Sequence, residues 1–296
     1  AYFLDKAGIN NAIKEILSEL DIQDTKKLNE ASEKIRKTME DAKMPPELEE
    51  MIVEAYDILN AESHGNKEAL DVLKKSSEEI FVAVRSSATT EDLADASFAG
   101  QQESFLNVRG NRELLKNAKK CMSSLFTPRA IYYRQKKGFK HEQARLAVVV
   151  QKMINSIKSG VMFSKNPTRD DGTIVIEAVW GLGEGIVSGQ IKPDHYVVSG
   201  DLDNFEILEI DISKKKIAII RNAKGQTGTI KLGAEKSESR VLDNYQIKRL
   251  SQYAEVLEKH YEKPQDIEFA IDDSGIFIVQ SRPITTVFKK NEEEVQ

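Results

Sequence analysis

The spacing of apolar residues changes near residue 81, and this change restricts the fold more than any other feature of the sequence. Before it, apolar residues recur every three or four positions, as in Leu28, Ala31, Ile35 and Met39, which predicts amphipathic helices. After it, apolar residues fall into short segments of β type. Helices combined with short, often antiparallel strands predict an α+β fold rather than a doubly wound sheet.

Three helices are predicted within the first 62 residues: an apolar repeat from Ile9 to Leu20, a helix behind a cap at Asp24, and a helix that begins at Pro46. Strands are predicted at residues 81–86, 103–108, 145–153, 173–179, 195–198, 205–212 and 216–221. Further helices are predicted at residues 111–126, from Pro128, and on a stretch with one apolar face formed by Ile247, Leu250, Ala254, Leu257 and Tyr261. We therefore expect a helical region at 1–79, β-rich lobes at 80–286, and a charged linker at 287–296.

Composition limits the classes of function. The chain has 296 residues, of which 40% are apolar, and this is enough for a buried core. Its 43 Lys and Arg against 48 Asp and Glu leave a net charge of −5, so neither nucleic acid nor an anionic membrane is expected as a partner. The longest aliphatic stretch, residues 146–150, is far too short to cross a bilayer. We expect a soluble, cytoplasmic protein.

Cysteine and histidine offer no catalytic or metal motif. Cys121 is the single cysteine, which excludes an internal disulfide, and we predict a thiol in a helical core. His64, His141, His195 and His260 are scattered without the spacing of metal ligands or of a catalytic triad. We assign none of them to catalysis.

A hairpin is predicted near the carboxyl terminus. Polar and apolar residues alternate at 266–271 and, more loosely, at 276–282. The three-residue connection Asp273-Ser274-Gly275 fits a bulged turn in which Gly275 has the left-handed conformation. This connection decides which residues of the two strands face each other.

The predicted register separates a polar face of the hairpin from a buried one. On the polar face Asp266 faces Arg282 and Glu268 faces Gln280, and on the buried face Phe269 faces Val279 and Ile271 faces Phe277. Carboxylate and amide oxygens suit Mg²⁺, and a guanidinium suits phosphate. From the hairpin pattern alone, a solvent-exposed polar face with an ordinary ion pair is the preferred interpretation.

A second polar segment follows an apolar strand that ends at Arg85. Small and hydroxyl-bearing residues come next, Ser86-Ser87-Ala88-Thr89-Thr90. Small side chains let backbone N–H groups approach an anion, and arginine adds a permanent positive charge, so the segment fits a phosphate site. A capped helix start explains the same residues equally well. Farther on, Gly100 is a position where another backbone could come close.

Two more segments are compatible with nucleotide binding. Residues 180–189 are rich in glycine, but Ile186 stands where a dinucleotide fingerprint needs its third glycine, and the sequence contains no P-loop motif. An ordinary loop is favoured there over a ligand lid. The strand that ends at Gln151 could present its amide to an adenine edge, or it is a core strand that simply reaches solvent.

Four segments together resemble the nucleotide-binding domain of the phosphoenolpyruvate synthase family. They are Val-Arg-Ser-Ser-Ala-Thr-Thr-Glu-Asp at 84–92, Ala-Ser-Phe-Ala-Gly-Gln-Gln-Glu at 96–103, Trp-Gly-Leu-Gly-Glu at 180–184 and Gln-Ser-Arg-Pro at 280–283. The resemblance covers residues 1–286 and is least distinctive between 20 and 75. The segment at 96–103 argues against the sister family of pyruvate phosphate dikinases, whereas rifampin phosphotransferases share it and are the nearest alternative.

The resemblance implies an ATP-grasp-like domain over residues 1–286, with ATP between two lobes. It implies that Arg85 contacts the phosphates, that Gly100 and Ser104 line the nucleotide cleft, and that Gln151 meets the adenine. It also implies that Glu268 and Gln280 hold Mg²⁺, with Asp266 as a further possible ligand, and that Arg282 touches the transferring group. Arg85 and Arg282 would be the catalytic residues, acting by position and charge.

The resemblance implies partners as well. In the family, a histidine on a separate swivelling domain attacks the β-phosphorus of ATP, AMP leaves, phosphate is released, and the phosphohistidine phosphorylates pyruvate on a third domain. The phosphoacceptor histidine motif and the pyruvate-binding barrel do not occur in this sequence, so the chain alone is not expected to complete the reaction. The family's glycine-and-lysine loop does not occur either, which predicts weakened ATP affinity. Because the histidine and the lysine are absent, the alternative function is a docking domain that keeps the fold but catalyses no reaction.

Overall fold

The computed structural model describes residues 2–63, 79–88, 92–93, 96–97, 103–141, 144–201, 203–222 and 225–284. The chain divides into two compact units, Ala1–Met153 and Ile154–Gln296. Each unit contains helices and a sheet, so the predicted α+β class is confirmed. Among the residues that the structure describes, no helix is both long and apolar enough to cross a membrane.

The first unit begins with four helices, α1 Tyr2–Lys6, α2 Asn10–Ser18, α3 Thr25–Asp41 and α4 Pro46–Ser63. Asp24 caps α3 as predicted, because its carboxylate accepts the backbone N–H groups of Lys26 and Lys27 at 3.0 and 3.1 Å. The buried face of α3 carries Ile35 and Met39. Thus the helix spacing correctly predicted α2, α3 and α4, whereas α1 was not predicted.

The rest of the first unit combines a small sheet with two more helices. Its elements are β1 Val82–Ala88, β2 Asp92–Leu93, β3 Ala96–Ser97, β4 Phe105–Val108, α5 Asn111–Ser123, a 3₁₀ turn Ser124–Phe126, α6 Pro128–Lys136 and β5 Leu146–Lys152. The antiparallel strand order is β4-β1-β5. One sheet face, with Val82 and Val84, packs in a core that includes Leu114 and Cys121 of α5. Cys121 is therefore the buried helical thiol that the sequence predicts.

The second unit is built on a six-stranded antiparallel sheet. Its elements are β6 Lys158–Phe163, β7 Ile174–Trp180, α7 Glu184–Val187, β8 Asp194–Val198, β9 Ile207–Asp211, β10 Ile217–Arg221, β11 Thr227–Lys231, α8 Ala234–Glu238, α9 Asn244–Tyr261, β12 Gln265–Asp272 and β13 Gly275–Pro283. The strand order is β13-β12-β6-β7-β8-β9, and β10 pairs with β11. Helix α9 covers one face of the sheet, where Ile247 and Leu250 pack with Met162 and Phe269.

The predicted apolar face of α9 is correct except at its last residue. Ile247, Leu250 and Ala254 are fully buried, and Leu257 packs against the same core. Tyr261 is half exposed, at 51%, so its assignment to the buried face is wrong. Tyr261 is the final residue of the helix, where the helix extends beyond the sheet core.

Four strands, the two-residue β2 and β3 and the longer β6 and β11, are missing from the sequence prediction. Gly160 interrupts the apolar pattern of β6, yet the fold needs glycine there, because an added Cβ would clash with the Glu177 carbonyl oxygen and lie 2.5 Å from the Phe269 ring. In β11 every residue is exposed, so its sequence has no alternation to detect. The formation of β6 and β11 therefore depends on pairing with neighbouring strands.

The turn of the closing hairpin differs from the prediction. The connection is the two-residue Asp273-Ser274, since Asp272 pairs directly with Gly275. The Asp272 carboxylate accepts the Ser274 N–H at 2.8 Å and its hydroxyl at 2.6 Å, and this side-chain turn favours the shorter loop. The predicted three-residue connection is wrong because the sequence pattern does not reveal this local bond.

A β-bulge restores the predicted register in the polar half of the hairpin. Near the turn, Phe269 pairs with Ile278 and Ile271 pairs with Ile276, so the predicted pairs Phe269 with Val279 and Ile271 with Phe277 are wrong. The bulge then absorbs Val279 as an extra residue. Beyond it Glu268 faces Gln280 and Asp266 faces Arg282, as predicted. Without the bulge, the two-residue turn would place Glu268 opposite Val279.

Candidate functional site

Four polar side chains share the sheet face that lies opposite α9, and we call them the hairpin group: Asp266, Glu268, Gln280 and Arg282. Along β12, Asp266 and Glu268 alternate with the fully buried Ile267 and Phe269. Because side chains alternate across a strand, the packing of Ile267 and Phe269 under α9 directs the two carboxylates to the other face. All four side chains of the group are half-buried.

Arg282 forms the ion pair of the hairpin group. Its Nη2 lies 3.5 Å from Glu268 Oε1, and each side chain retains 31% of its exposure. This contact is diagonal, since Arg282 directly faces Asp266 across the strands. At this exposure the pair stabilises the fold only weakly. Its main effect is to hold the guanidinium over the carboxylates.

Asp266 has an electrostatic environment that favours a bound cation. Burial raises the pKa of the Asp266 carboxyl above its ordinary value, the positive charge of Arg282 lowers it, and the negative charge of Glu268 raises it further. Since the net shift is upward, the positive charge of Arg282 does not fully offset the effect of burial and of Glu268. A divalent cation between the carboxylates would stabilise the ionised form.

The donor set of the hairpin group fits Mg²⁺ better than a transition metal. Carboxylate oxygens of Asp266 and Glu268 and the amide oxygen of Gln280 are hard ligands. Within the described ranges, no cluster of three or more His, Cys, Asp and Glu side chains is placed to bind a metal ion. An ion held here would therefore complete its coordination with water or phosphate oxygens, which is usual for Mg²⁺.

The first unit holds a separate polar pair, Arg85 and Gln151. Ala83 of β1 faces Gln151 of β5, and Arg85 faces Val149, so the two polar side chains project from the same sheet face. Arg85 Nη1 donates a hydrogen bond to Gln151 Oε1 at 3.1 Å. The opposite face carries the buried core residues. The structure thus brings together two residues that the sequence analysis predicted from different segments.

Of the other two site residues predicted in this unit, Ser104 and Gly100, the structure describes only Ser104. Ser104 is exposed and directly precedes Phe105, which pairs with Val84 of β1. Gly100 lies outside the described residues. The alternative of a helix start after Arg85 does not hold for Ser86 and Ser87, which belong to β1.

Comparison with known proteins identifies the family. The whole chain, residues 1–296, matches the family described as pyruvate phosphate dikinase, AMP/ATP-binding domain. The chain belongs to this family. Two similar proteins are named probable phosphoenolpyruvate synthase, one from Archaeoglobus fulgidus, 49% identical over 291 residues, and one from Methanocaldococcus jannaschii, 44% identical over 294 residues. A phosphoenolpyruvate synthase from Pyrococcus furiosus is 44% identical over 284 residues.

The chain is much shorter than these three relatives. The three alignments cover 98%, 99% and 93% of this chain but 36%, 24% and 33% of the respective relatives. The chain therefore spans roughly a quarter to just over a third of their length.

Two polar side chains of the AMP/ATP-binding domain were not among the predicted site residues. Arg134 on α6 is 1% exposed; its Nε donates to His141 Nδ1 at 3.2 Å, whereas its Nη2 has no partner among the described residues. Burial lowers the pKa of Arg134 to about 10. Burial also raises the pKa of Glu184, whose Oε1 has no partner within the described part of the chain. Neither position has a sequence pattern that distinguishes it from an ordinary helix or loop residue.

The glycine-rich segment of the AMP/ATP-binding domain packs closely against its neighbours and includes the short helix α7, so it is not an ordinary loop throughout. Gly181 has a φ of +84°, and an added Cβ would clash with the backbone of Ile219 on β10. Gly185 lies against Ile191, whose Cδ1 would be 2.5 Å from an added Cβ. These glycines therefore let the segment approach its neighbours closely.

The described histidines have structural partners. His141 accepts the bond from Arg134, and His195 Nδ1 lies 3.4 Å from Glu177 Oε1. His260 packs edge-on against Tyr261, with ring centroids 4.8 Å apart. His64 lies outside the described residues.

Proposed function

We propose that this chain is the ATP-grasp-like, Mg-ATP-binding domain of a phosphoenolpyruvate synthase. The observation that carries the proposal is the hairpin group, because a bulge and a two-residue turn combine to place two carboxylates, an amide and a guanidinium on one sheet face. Membership of the AMP/ATP-binding family and the names of the relatives support a nucleotide as the ligand. Those names also favour pyruvate over rifampin as the final acceptor.

In this proposal the hairpin group binds the metal and the phosphates. Glu268 and Gln280 would hold Mg²⁺, with Asp266 as a further ligand. The ion would supply positive charge against the phosphate oxygens. Arg282, held near Glu268 by its ion pair, would contact the transferring group and offset charge as the bond to AMP breaks.

By the same resemblance, the polar pair of the first unit would also bind nucleotide. Gln151 would meet the adenine and Arg85 the phosphates, with Gly100 and Ser104 lining the site. Because one Arg85 nitrogen already donates to Gln151, contact with phosphate requires its other donors or release of that bond. A change in this hydrogen bond when phosphate binds to Arg85 would then change the orientation of the Gln151 amide.

The proposed chemistry needs no nucleophile from this chain. A histidine on a separate domain would attack the β-phosphorus and AMP would leave, so that the histidine carries the β- and γ-phosphoryl groups. Water would then release the γ-group as inorganic phosphate, and the remaining phosphohistidine would transfer its phosphoryl group to pyruvate on a third domain. Positioning and charge neutralisation are sufficient for the residues described here. The phosphohistidine and pyruvate-binding domains of a longer enzyme are therefore the proposed partners.

Thermal unfolding tests the nucleotide site. We expect Mg-ATP to raise the melting temperature, since a ligand that binds the folded state stabilises it. Glu268→Ala or Arg282→Ala should remove the shift. Arg169→Ala is a matched control, because Arg169 forms an exposed ion pair of 2.6 Å with Glu209 on β9, at the other edge of the sheet.

Two results would count against the proposal. One is unchanged melting at millimolar Mg-ATP in a protein extended with the family's glycine-and-lysine loop. The other is failure to form phosphohistidine when radiolabelled ATP and the separate histidine domain are supplied, which would favour a non-catalytic docking domain.

A further inference from the structure

An open cavity of about 570 Å³ lies beside the start of α9. It is lined by Lys158, Arg240 and residues 241–245. Lys158 faces Ile271 across β6 and β12, and Ile271 is buried in the core under α9. The cavity therefore belongs to the helix-covered face of the sheet, opposite the face that carries the hairpin group.

Two of the residues that line the cavity, Lys158 and Arg240, are cationic, and Lys236 lies near Lys158 because both lysines stand over the Trp180 ring. The Nζ atoms of Lys158 and Lys236 lie 5.6 and 4.4 Å from the centroid of the Trp180 ring. The Arg240 guanidinium lies 5.5 Å from the centroid of Tyr196. Aromatic faces offset part of a cation's charge, but they do not replace an anion.

None of the three cations forms an ion pair with a carboxylate in the described part of the chain. Lys158 Nζ donates to a neutral group, Gln246 Oε1, at 2.8 Å. Nε and Nη2 of Arg240 are shielded from solvent and have no hydrogen-bond partner among the described residues. These two nitrogens form the edge with which arginine binds a carboxylate or phosphate through two bonds. Because they are shielded here, the Arg240 side chain has to turn toward the cavity before this edge can contact an anion.

One carboxylate, that of Asp243, also lines the cavity. Asp243 caps α9, accepting the Gln246 N–H at 2.8 Å, in a reciprocal capping box. Burial lowers the pKa of Lys158, Asp243 raises it, and Lys236 lowers it again. Asp243 therefore offsets only part of the positive charge of the half-buried Lys158 and Arg240 and the exposed Lys236.

We propose that this cavity binds a phosphate dianion, either free or as the phosphate group of a small metabolite. Arg240 and Lys158 would contact the anion from the cavity wall, and Lys236 would approach from the exposed rim. The N–H groups at the start of α9 would add donors. Because the hairpin group lies on the opposite face, this site is independent of the proposed nucleotide site.

Trp180 makes the proposal measurable, since it is the single tryptophan of the chain. Titration with inorganic phosphate at constant ionic strength should change its fluorescence with a saturating curve. Lys236 is exposed, so Lys236→Gln should keep the fold, verified by circular dichroism, and weaken binding about fivefold. Lys158→Gln should weaken it further.

Control variants separate this site from other effects. Lys192→Gln, which removes an exposed lysine paired with Asp211 at 3.7 Å, should leave the curve unchanged. Glu268→Ala should also leave it unchanged, even though it removes Mg-ATP binding in the proposed function. A linear response, or a response that chloride reproduces, would overturn the proposal. So would Lys236→Gln and Lys158→Gln variants that bind phosphate as tightly as the parent protein does. Tighter binding of glycerol 3-phosphate than of inorganic phosphate would identify a metabolite as the source, and the reverse order would identify free phosphate.

Discussion

Asp266 shows how a single residue can be unfavourable for the fold and useful for a ligand. Its carboxyl is half-buried beside Glu268, and the raised pKa means that ionisation is disfavoured in the folded protein. An aspartate in this environment costs stability when it is charged. A cation that binds the ionised form would reverse the effect, which is why the residue suits a metal site.

Asp266→Asn should stabilise the ligand-free protein at neutral pH. Below the ordinary aspartate pKa of 3.8, the carboxyl is protonated in both the folded and unfolded states. As the pH rises above that value, the unfolded chain releases its proton first, so the free energy of unfolding falls until the raised folded pKa has been passed. The amide of the variant does not ionise, so the variant does not lose this free energy of unfolding. The difference in stability between the variant and the parent protein should therefore shrink as the pH is lowered toward 3.8.

Urea denaturation at neutral and acidic pH measures this difference, and melting with Mg-ATP measures the ligand effect. The variant should respond less to Mg-ATP than the parent protein does. Asp170→Asn, at an exposed position, serves as the control. A ligand-free Asp266→Asn protein that is no more stable than its parent at neutral pH would contradict the electrostatic account.

At the scale of elements, β6 shows how packing can demand a residue that local preference disfavours. Gly160 weakens strand propensity, yet β6 lies between β12 and β7 in the middle of the sheet. The Phe269 ring occupies the space in which a side chain at 160 would stand. Local pattern and tertiary packing thus conflict at this position, and packing prevails.

Gly160→Ala should therefore destabilise the protein by about 1–3 kcal/mol, because its Cβ would displace the backbone of Glu177 or the ring of Phe269. Gly228→Ala is the matched control. Gly228 also lies inside a strand, β11, and nothing stands within 4 Å of an added Cβ there. We expect that control to be neutral or slightly stabilising, and equal losses in the two variants would argue against the clash.

The hairpin shows which part of an element could be predicted from sequence. Alternation correctly predicted that Asp266 and Glu268 share a face, whereas the predicted pairs with Arg282 and Gln280 came from a three-residue turn that does not form. The turn was mispredicted because a bond from the Asp272 carboxylate closes a shorter loop. The bulge at Val279 then compensates, so two local departures leave the polar face as expected.

At the scale of the molecule, a buried ion pair joins distant segments of the second unit. Asp194 and Lys215 are both fully buried and bonded to each other. The Asp194 carboxylate also accepts the N–H groups of Ser213 at 3.0 Å and Val241 at 2.8 Å, and the Tyr196 hydroxyl at 3.1 Å. One carboxylate therefore connects β8 to the segments that lead into β10 and α9.

Lys215→Met should lower the free energy of unfolding by about 3–5 kcal/mol, because it leaves a buried carboxylate without its counter-charge. Lys214→Met is the control, since Lys214 pairs with Glu238 at 2.5 Å on the exposed surface and should cost little. Chemical denaturation compares the two variants. Adding Asp194→Asn to Lys215→Met should recover part of the loss, and a comparable loss in the control would refute the distinction.

The sequence by itself determined helices α2 to α6 of the first unit, the α+β class and the shared face of Asp266 and Glu268. These features depend on the local period of apolar residues and on capping residues such as Asp24, which neighbours along the chain are sufficient to specify. Only the tertiary structure decided the strands β6 and β11, the bulge at Val279, and the bond that joins Arg85 to Gln151. Each of these depends on contacts with residues remote in sequence or on small differences in turn geometry, which the spacing of residue types does not record.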